Sequence, residues 1–313
     1  MNPRGSRLGV RVIIGYVIVF AAVWIATAML GVGVNRIMTW LAATDNVRIF
    51  VGRTLSRGGM LAAVLLLSSF ALRRTTGLRA RDVMFPLHPG WWKDLVFGCG
   101  LSAAIMLVLF GIEAGAGWLV NEGWALQGEP TDAWLRTLWV SLLANLLAAV
   151  GEEVMYRGYL LTGLSKAWGK PAGLLVMAIL FALPHILVTG AEETHWGVFI
   201  VLLALPGLML GWAYLRTRSL WLPIGIHFTW NLFQADVLNL PGDGTGESLF
   251  GLLTEQRGPD WIVGTSYGIE VGLAGVLAVV MGVIGIWIWT ARKARQVPVV
   301  EERASSGGLR SSR

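Results

Sequence analysis

Three short segments place polar groups inside otherwise apolar sequence: GEEVMYRGYL (151–160), FALPHIL (181–187) and LPIGIHFTWN (222–231). In the first, Glu153 and Arg157 stand four residues apart with the acid N-terminal, the better order for an ion pair on one helix face. Glu152 is turned about 100° away and cannot share that arginine well. One carboxylate therefore has a local counter-ion, and the other is left for chemistry. In the second segment His185 follows Phe181 by one turn, directly behind Pro184, which removes a backbone donor and bends the helix. In the third, His227 and Asn231 share a helix face. The chemistry this set can perform is hydrolysis. A carboxylate held out of bulk water suits a general base, so Glu152 would take a proton from a water that His185 also holds. His227 and Asn231 would donate to the oxyanion formed when that water adds to a peptide carbonyl. A serine-hydrolase elbow is not expected. The single Cys99 has no polar companions nearby in sequence and excludes an internal disulfide. No H-E-x-x-H occurs, yet one Glu with two His is a ligand set that a catalytic Zn²⁺ accepts.

The elements that must position these groups are membrane helices. The chain of 313 residues is 55% hydrophobic and only 14% charged, with mean hydropathy +0.63. Soluble domains carry roughly a quarter charged residues. Apolar stretches of about 20 residues, enough to cross a bilayer core, recur along the sequence. About eight spans are predicted, over 12–34, 55–72, 95–119, 135–160, 170–189, 196–215, 219–238 and 263–290. The fourth carries Glu152, the fifth His185, and the seventh His227 and Asn231. A charge at a helix centre costs roughly 2.5–3.5 kcal/mol on insertion scales. Glu152, Glu153 and Arg157 must therefore face the protein interior or an interface. The expected fold is an all-α polytopic membrane protein with a buried polar cavity.

Loop charge orients it. Arg4, Arg7 and Arg11 precede the first span; Arg73, Arg74, Arg79, Arg81 and Lys93 follow the second. Lys166 and Lys170, Arg216 and Arg218, and Arg292, Lys293 and Arg295 fall on the same side. Glu122, Glu129, Asp132, Glu192, Glu193, Asp236, Asp243, Glu247, Glu255 and Asp260 fall on the other. Arg36, Arg48, Arg53 and Arg57, between the first two spans, depart from the pattern. Both termini are predicted cytoplasmic, in the inner membrane, with the first helix retained rather than cleaved. The net charge of +6 is accounted for by loops beside anionic lipid, so nucleic acid is not an expected partner.

The three segments resemble the E-E-x-x-x-R, F-x-x-x-H and H-x-x-x-N/D signatures of the CAAX-protease and bacteriocin-processing (Abi) family of intramembrane proteases. All three occur in order on successive apolar helices, between about 134 and 238. The resemblance implies that Glu152 activates the water, that His185 helps hold it, and that His227 and Asn231 form the oxyanion hole. Glu153 and Arg157 would be structural or orienting. The implied partners are a membrane-associated peptide or protein substrate and the lipid bilayer. The resemblance implies no certain cofactor and leaves open a divalent metal such as Zn²⁺.

By this reading residues 1–130 form N-terminal spans, 131–240 the catalytic core, 241–292 an outer loop with the last span, and 293–313 a disordered cytoplasmic tail. The Gly-rich, acidic stretch from about 239 to 260 reads as a mobile outer loop. Glu113 and Glu270 read as acids near span ends or as a second polar cluster at the outer face. His88 reads as an interfacial loop residue, and Glu192, Glu193 and His195 as a solvated loop able to bind a cation weakly. Two other classes compete with the protease. Acid and histidine on membrane helices also build proton relays in transporters, but no inverted repeat is visible. A non-catalytic membrane scaffold would be expected to lose Glu152 or a histidine, and both histidines and Glu152 are kept.

Overall fold

The computed structural model describes residues 3–41, 45–125, 127, 128, 130–188, 196–240, 251–265 and 268–296. Their order is α1 (Pro3–Trp40), α2 (Asp45–Thr76), α3 (Ala80–Val83), α4 (Trp91–Gly115), β1 (Leu119–Trp124) and α5 (Thr131–Glu153). A π-helical segment, π1 (Val154–Leu161), continues α5 without a break and passes into α6 (Thr162–Trp168). Then come α7 (Lys170–Val188), α8 (Trp196–Thr217) and α9 (Trp221–Asn231), which continues as a second π segment, π2 (Leu232–Val237). The chain closes with β2 (Leu252–Gln256), α10 (Asp260–Val263), a 3₁₀ turn at Ile269–Val271 and α11 (Leu273–Gln296).

The protein is an all-α polytopic membrane protein. Six described helices are long and apolar enough to cross a bilayer: Pro3–Trp40, Thr54–Thr76, Trp91–Gly115, Ala133–Trp168, Val198–Thr217 and Leu273–Arg292. The expected count of eight is not reached. The fifth predicted span is a shorter apolar helix, Lys170–His185 within its described part. The seventh is divided between α9 and π2, so it offers no long uninterrupted α-helix. These two carry three of the predicted site residues.

Three further expectations are corrected. Part of the supposed mobile outer loop is ordered: Leu252–Gln256 pairs antiparallel with Leu119–Trp124, aligning Leu119 with Gln256 and Trp124 with Leu252. The ribbon ties the end of α4 to the segment before α11. Residues 241–250 of that loop lie outside the described residues. Asp236, counted among outer-loop acids, is buried in π2. The last helix also runs to Gln296, into the segment expected as tail.

The bundle holds the motif helices at its centre. Tyr156, Tyr159, Leu160, Leu161 and Leu164 are fully buried and pack with Val12, Tyr16, Leu72, Met84 and Phe181 in one cluster. Helices α4 and α9 approach closely because glycines face each other. A Cβ on Gly225 would sit 2.3 Å from the Leu95 carbonyl oxygen, and one on Gly98 2.6 Å from that of Leu222. Lipid offers no hydrophobic drive for helix association, so such backbone contact supplies dispersion that bulkier residues would forbid.

Candidate active site

Glu153 and Arg157 form the expected pair, with Arg157 Nη1 donating to Glu153 Oε1 at 2.8 Å and both side chains at 0% exposure. The arginine lies over the Phe181 ring at 4.5 Å and reaches toward the Gly207 carbonyl at 3.5 Å. Its plane and charge are thus matched by an aromatic face as well as a carboxylate.

His227 completes the arrangement. Its Nδ1 donates to the same Glu153 Oε1 at 2.8 Å, and its Nε2 stands 3.8 Å from Glu152 Oε2. Glu153 thereby joins two motifs, one on the α5–π1 helix and one on α9. The bond also fixes the imidazole chemically. With Nδ1–H committed to the carboxylate, Nε2 carries a proton only when the ring is an imidazolium; in the neutral ring it is an acceptor. Glu152 has no arginine partner. Its side chain is 31% exposed, yet its Oε2 is buried and has no hydrogen-bond partner among the described residues.

His185 enters from α7. Its Nδ1 donates to the Phe181 carbonyl at 2.8 Å. Phe181 lies between the two histidines, its ring centroid 4.8 Å from that of His185 and 6.5 Å from that of His227. Pro184 sits within α7, immediately before His185. Asn231 is the last residue of α9, one turn beyond His227. The geometry thus gathers Glu152, Glu153, Arg157 and His227 into direct contact and joins His185 through Phe181.

Both motif helices change character beside these groups. The backbone becomes π-helical at Val154, directly after the two glutamates, and at Leu232, directly after Asn231. Widened turns of this kind are rare and gather at functional sites.

Sequence reasoning missed the groups that brace this cluster. On α5, Ser141 Oγ makes a short hydrogen bond to Asp236 Oδ2, and Asn145 Nδ2 donates to the same oxygen at 2.7 Å. The helix bearing Glu152 is thereby fastened to the one bearing His227. Glu270 accepts from Trp230 Nε1 at 2.6 Å and from Gln234 Nε2 at 3.2 Å, which anchors α9 and π2 from the other side. Glu113 is buried and accepts from Gln256 Nε2 at 3.3 Å, tying β2 to α4. These acids are interior braces, not solvated ends. The spacing of Ser141 and Asn145, four apart on the helix that ends in the motif, was the available signal. Tyr16 and Tyr156 were also missed; both are buried, and their hydroxyls meet at 3.2 Å.

His88 lies at the interface end of α4, with Nε2 3.7 Å from Asp94 Oδ2. Glu192, Glu193 and His195 lie outside the described residues. One G-x-S-x-G string does occur, GTSYG at 264–268, contrary to the expectation that none would. It follows the four-residue α10 and precedes a 3₁₀ turn, so it lacks the strand-to-helix setting of a nucleophile elbow, and Ser266 itself is not among the described residues. Among the described residues, no three His, Cys, Asp or Glu side chains converge as a metal site.

Residues 134–233 match the family model of the Rce1-like proteins, type II CAAX prenyl endopeptidases. The match takes in about a third of the chain and all three motif segments, from α5 into π2. No curated protein and no solved structure matches the chain.

Proposed function

We propose, from the match of residues 134–233 to the Rce1-like family of CAAX prenyl endopeptidases, that this integral membrane protein cleaves a peptide bond of a membrane-associated substrate with a water activated by Glu152. One observation carries the reading. Glu152 is the acid with no arginine partner, while its neighbour Glu153 is neutralised by Arg157 and holds the imidazole that faces Glu152.

Each residue then has a distinct part. Glu152 removes a proton from the water as its oxygen adds to the scissile carbonyl. His185, with Nδ1 committed to Phe181, accepts a hydrogen bond from the same water through Nε2. The charge that develops on the carbonyl oxygen is met by the Asn231 amide and by His227 in its imidazolium form, donating through Nε2. When the carbon–nitrogen bond breaks, protonated Glu152 passes its proton to the leaving amine, which restores the carboxylate. Glu153 and Arg157 keep His227 aimed and take no part in proton transfer.

The substrate class follows the family: a membrane-bound protein or peptide near its C-terminus, prenylated where the CAAX likeness holds in full. The basic loops put both termini in the cytoplasm, and the motif, near the end of the fourth span beside Lys166 and Lys170, opens on that side. The test is cleavage of a farnesylated CAAX-terminal peptide by the purified full chain in nanodiscs. Wild type cleaves it, and Glu152→Gln, which keeps the shape and removes the base, loses roughly 10²- to 10⁴-fold in rate. A Glu152→Gln variant as active as wild type overturns the mechanism.

A further inference from the structure

The mechanism leaves one oxygen of Glu152 unexplained. Oε2 is buried without a hydrogen-bond donor among the described residues, His227 Nε2 standing 3.8 Å away, beyond hydrogen-bond reach. A buried carboxylate oxygen left unpaired costs its full desolvation, so native structures nearly always supply a protein group or an ordered water. Beside it lies a donor with the complementary defect. Tyr16 Oη, from α1, donates to Tyr156 Oη at 3.2 Å, and its alternative acceptor is the Leu180 carbonyl at 3.4 Å. Tyr156 accepts that bond, so its own phenolic proton points elsewhere, and no acceptor for it is found among the described residues. Tyr156 is four residues beyond Glu152 on the same helix and so shares its face. Its ring is pinned edge-on against Phe181 at 5.0 Å and 82°, the same ring that carries His185 and borders His227. The Tyr16 ring closes the other side at 5.6 Å.

We propose that Tyr16 and Tyr156 are positioning residues: Tyr156 donates, across one bridging water, to the buried oxygen of Glu152, and Tyr16 holds Tyr156 in that orientation. The carboxylate is then fixed by its inner oxygen and presents its outer oxygen to the attacking water. Helix α1, which lies outside the matched family core, thereby supplies a residue to the catalytic apparatus. A bridge of this kind suits the burial of both partners, since polar buried gaps commonly hold a water with two or more partners.

The inference rests on Glu152 being the base, so its test uses both sets of variants on the farnesylated peptide. Tyr156→Phe keeps the ring on Phe181 and removes one oxygen; kcat falls about 10- to 100-fold with KM within about twofold, as expected when a bond to a charged group is lost. Tyr16→Phe acts only through Tyr156 and costs less, about three- to tenfold. The double variant is no slower than Tyr156→Phe alone, because the second change removes nothing further from Glu152. A merely structural pair would instead give additive losses that track a falling thermal midpoint. Full kcat in Tyr156→Phe, with Glu152→Gln inactive, overturns this inference and leaves the mechanism standing. Equal rates in wild type and Glu152→Gln, or no cleavage by either, overturn both.

Discussion

The two adjacent glutamates hold different stations because each answers to different neighbours. Glu153 is wholly buried and neutralised by Arg157 at 2.8 Å. Breaking such a pair costs more than never having it, since the remaining charge stays in a dry interior. Arg157→Met should therefore destabilise the protein by about 3–5 kcal/mol, read as a lower thermal midpoint in detergent. Adding Glu153→Leu should recover part of that loss while leaving the enzyme inactive, because His227 then has no acceptor for Nδ1. Recovery of activity in the double variant would show that His227 needs no such hold. This much was legible from spacing: acid before base at four residues, and a second acid turned away. What spacing could not give was that Glu153 also serves His227, which lies on a helix 74 residues later. Tyr16 was wholly illegible, being one aromatic in an apolar span whose partner is 140 residues distant. Asp236 was misread because hydropathy falls at the end of its span, and only the fold shows that the polar stretch turns inward onto Ser141 and Asn145.

At the level of elements, the site depends on how closely α4 lets α9 approach. Gly98 and Gly225 oppose each other, and the backbone of each helix occupies the room a Cβ on the other would need. Backbone cannot swing aside as a side chain can. Gly225→Ala should push α9 away from α4, shift His227 relative to Glu153, and lower both the thermal midpoint and kcat. A shift of about 1 Å suffices to cost on the order of 10²-fold in rate. Wild-type kcat in that variant would show that the α4 contact does not set the position of His227. The sequence announced the glycines and a membrane helix, but not which helix each would face. The exact count of eight spans is not confirmed, for a related reason. Hydropathy windows register apolar length, whereas α7 and the α9–π2 segment are short or interrupted where they carry the site.

The whole molecule is a membrane bundle in which six described helices have the length to span and the polar groups gather within. The orientation proposed from loop charge predicts that reporter fusions at both ends read cytoplasmic. An external C-terminal reporter would reverse the proposed side of entry. Comparative membrane proteomics of cells carrying wild type or Glu152→Gln should reveal an uncleaved protein that accumulates only in the variant; no difference between them would deny a protease role in those cells. Prolonged exposure to a chelator should leave the rate on the farnesylated peptide unchanged, since the proposed steps use Glu152, His185, His227 and Asn231 without a metal. A rate lost to the chelator and restored by Zn²⁺ would instead bring the metal into the mechanism.

The π segment at Val154–Leu161 has a consequence for length. A π turn is an α turn carrying one extra residue, so the helix behaves as though it had absorbed an insertion. Loops elsewhere can gain or lose a residue with little effect. Here, removing one residue would restore a regular ladder and swing everything beyond it by about 100°. Arg157 would leave Glu153, and Tyr156 would leave Tyr16. In this helix the number of residues is itself part of the catalytic specification, as strictly as their identity.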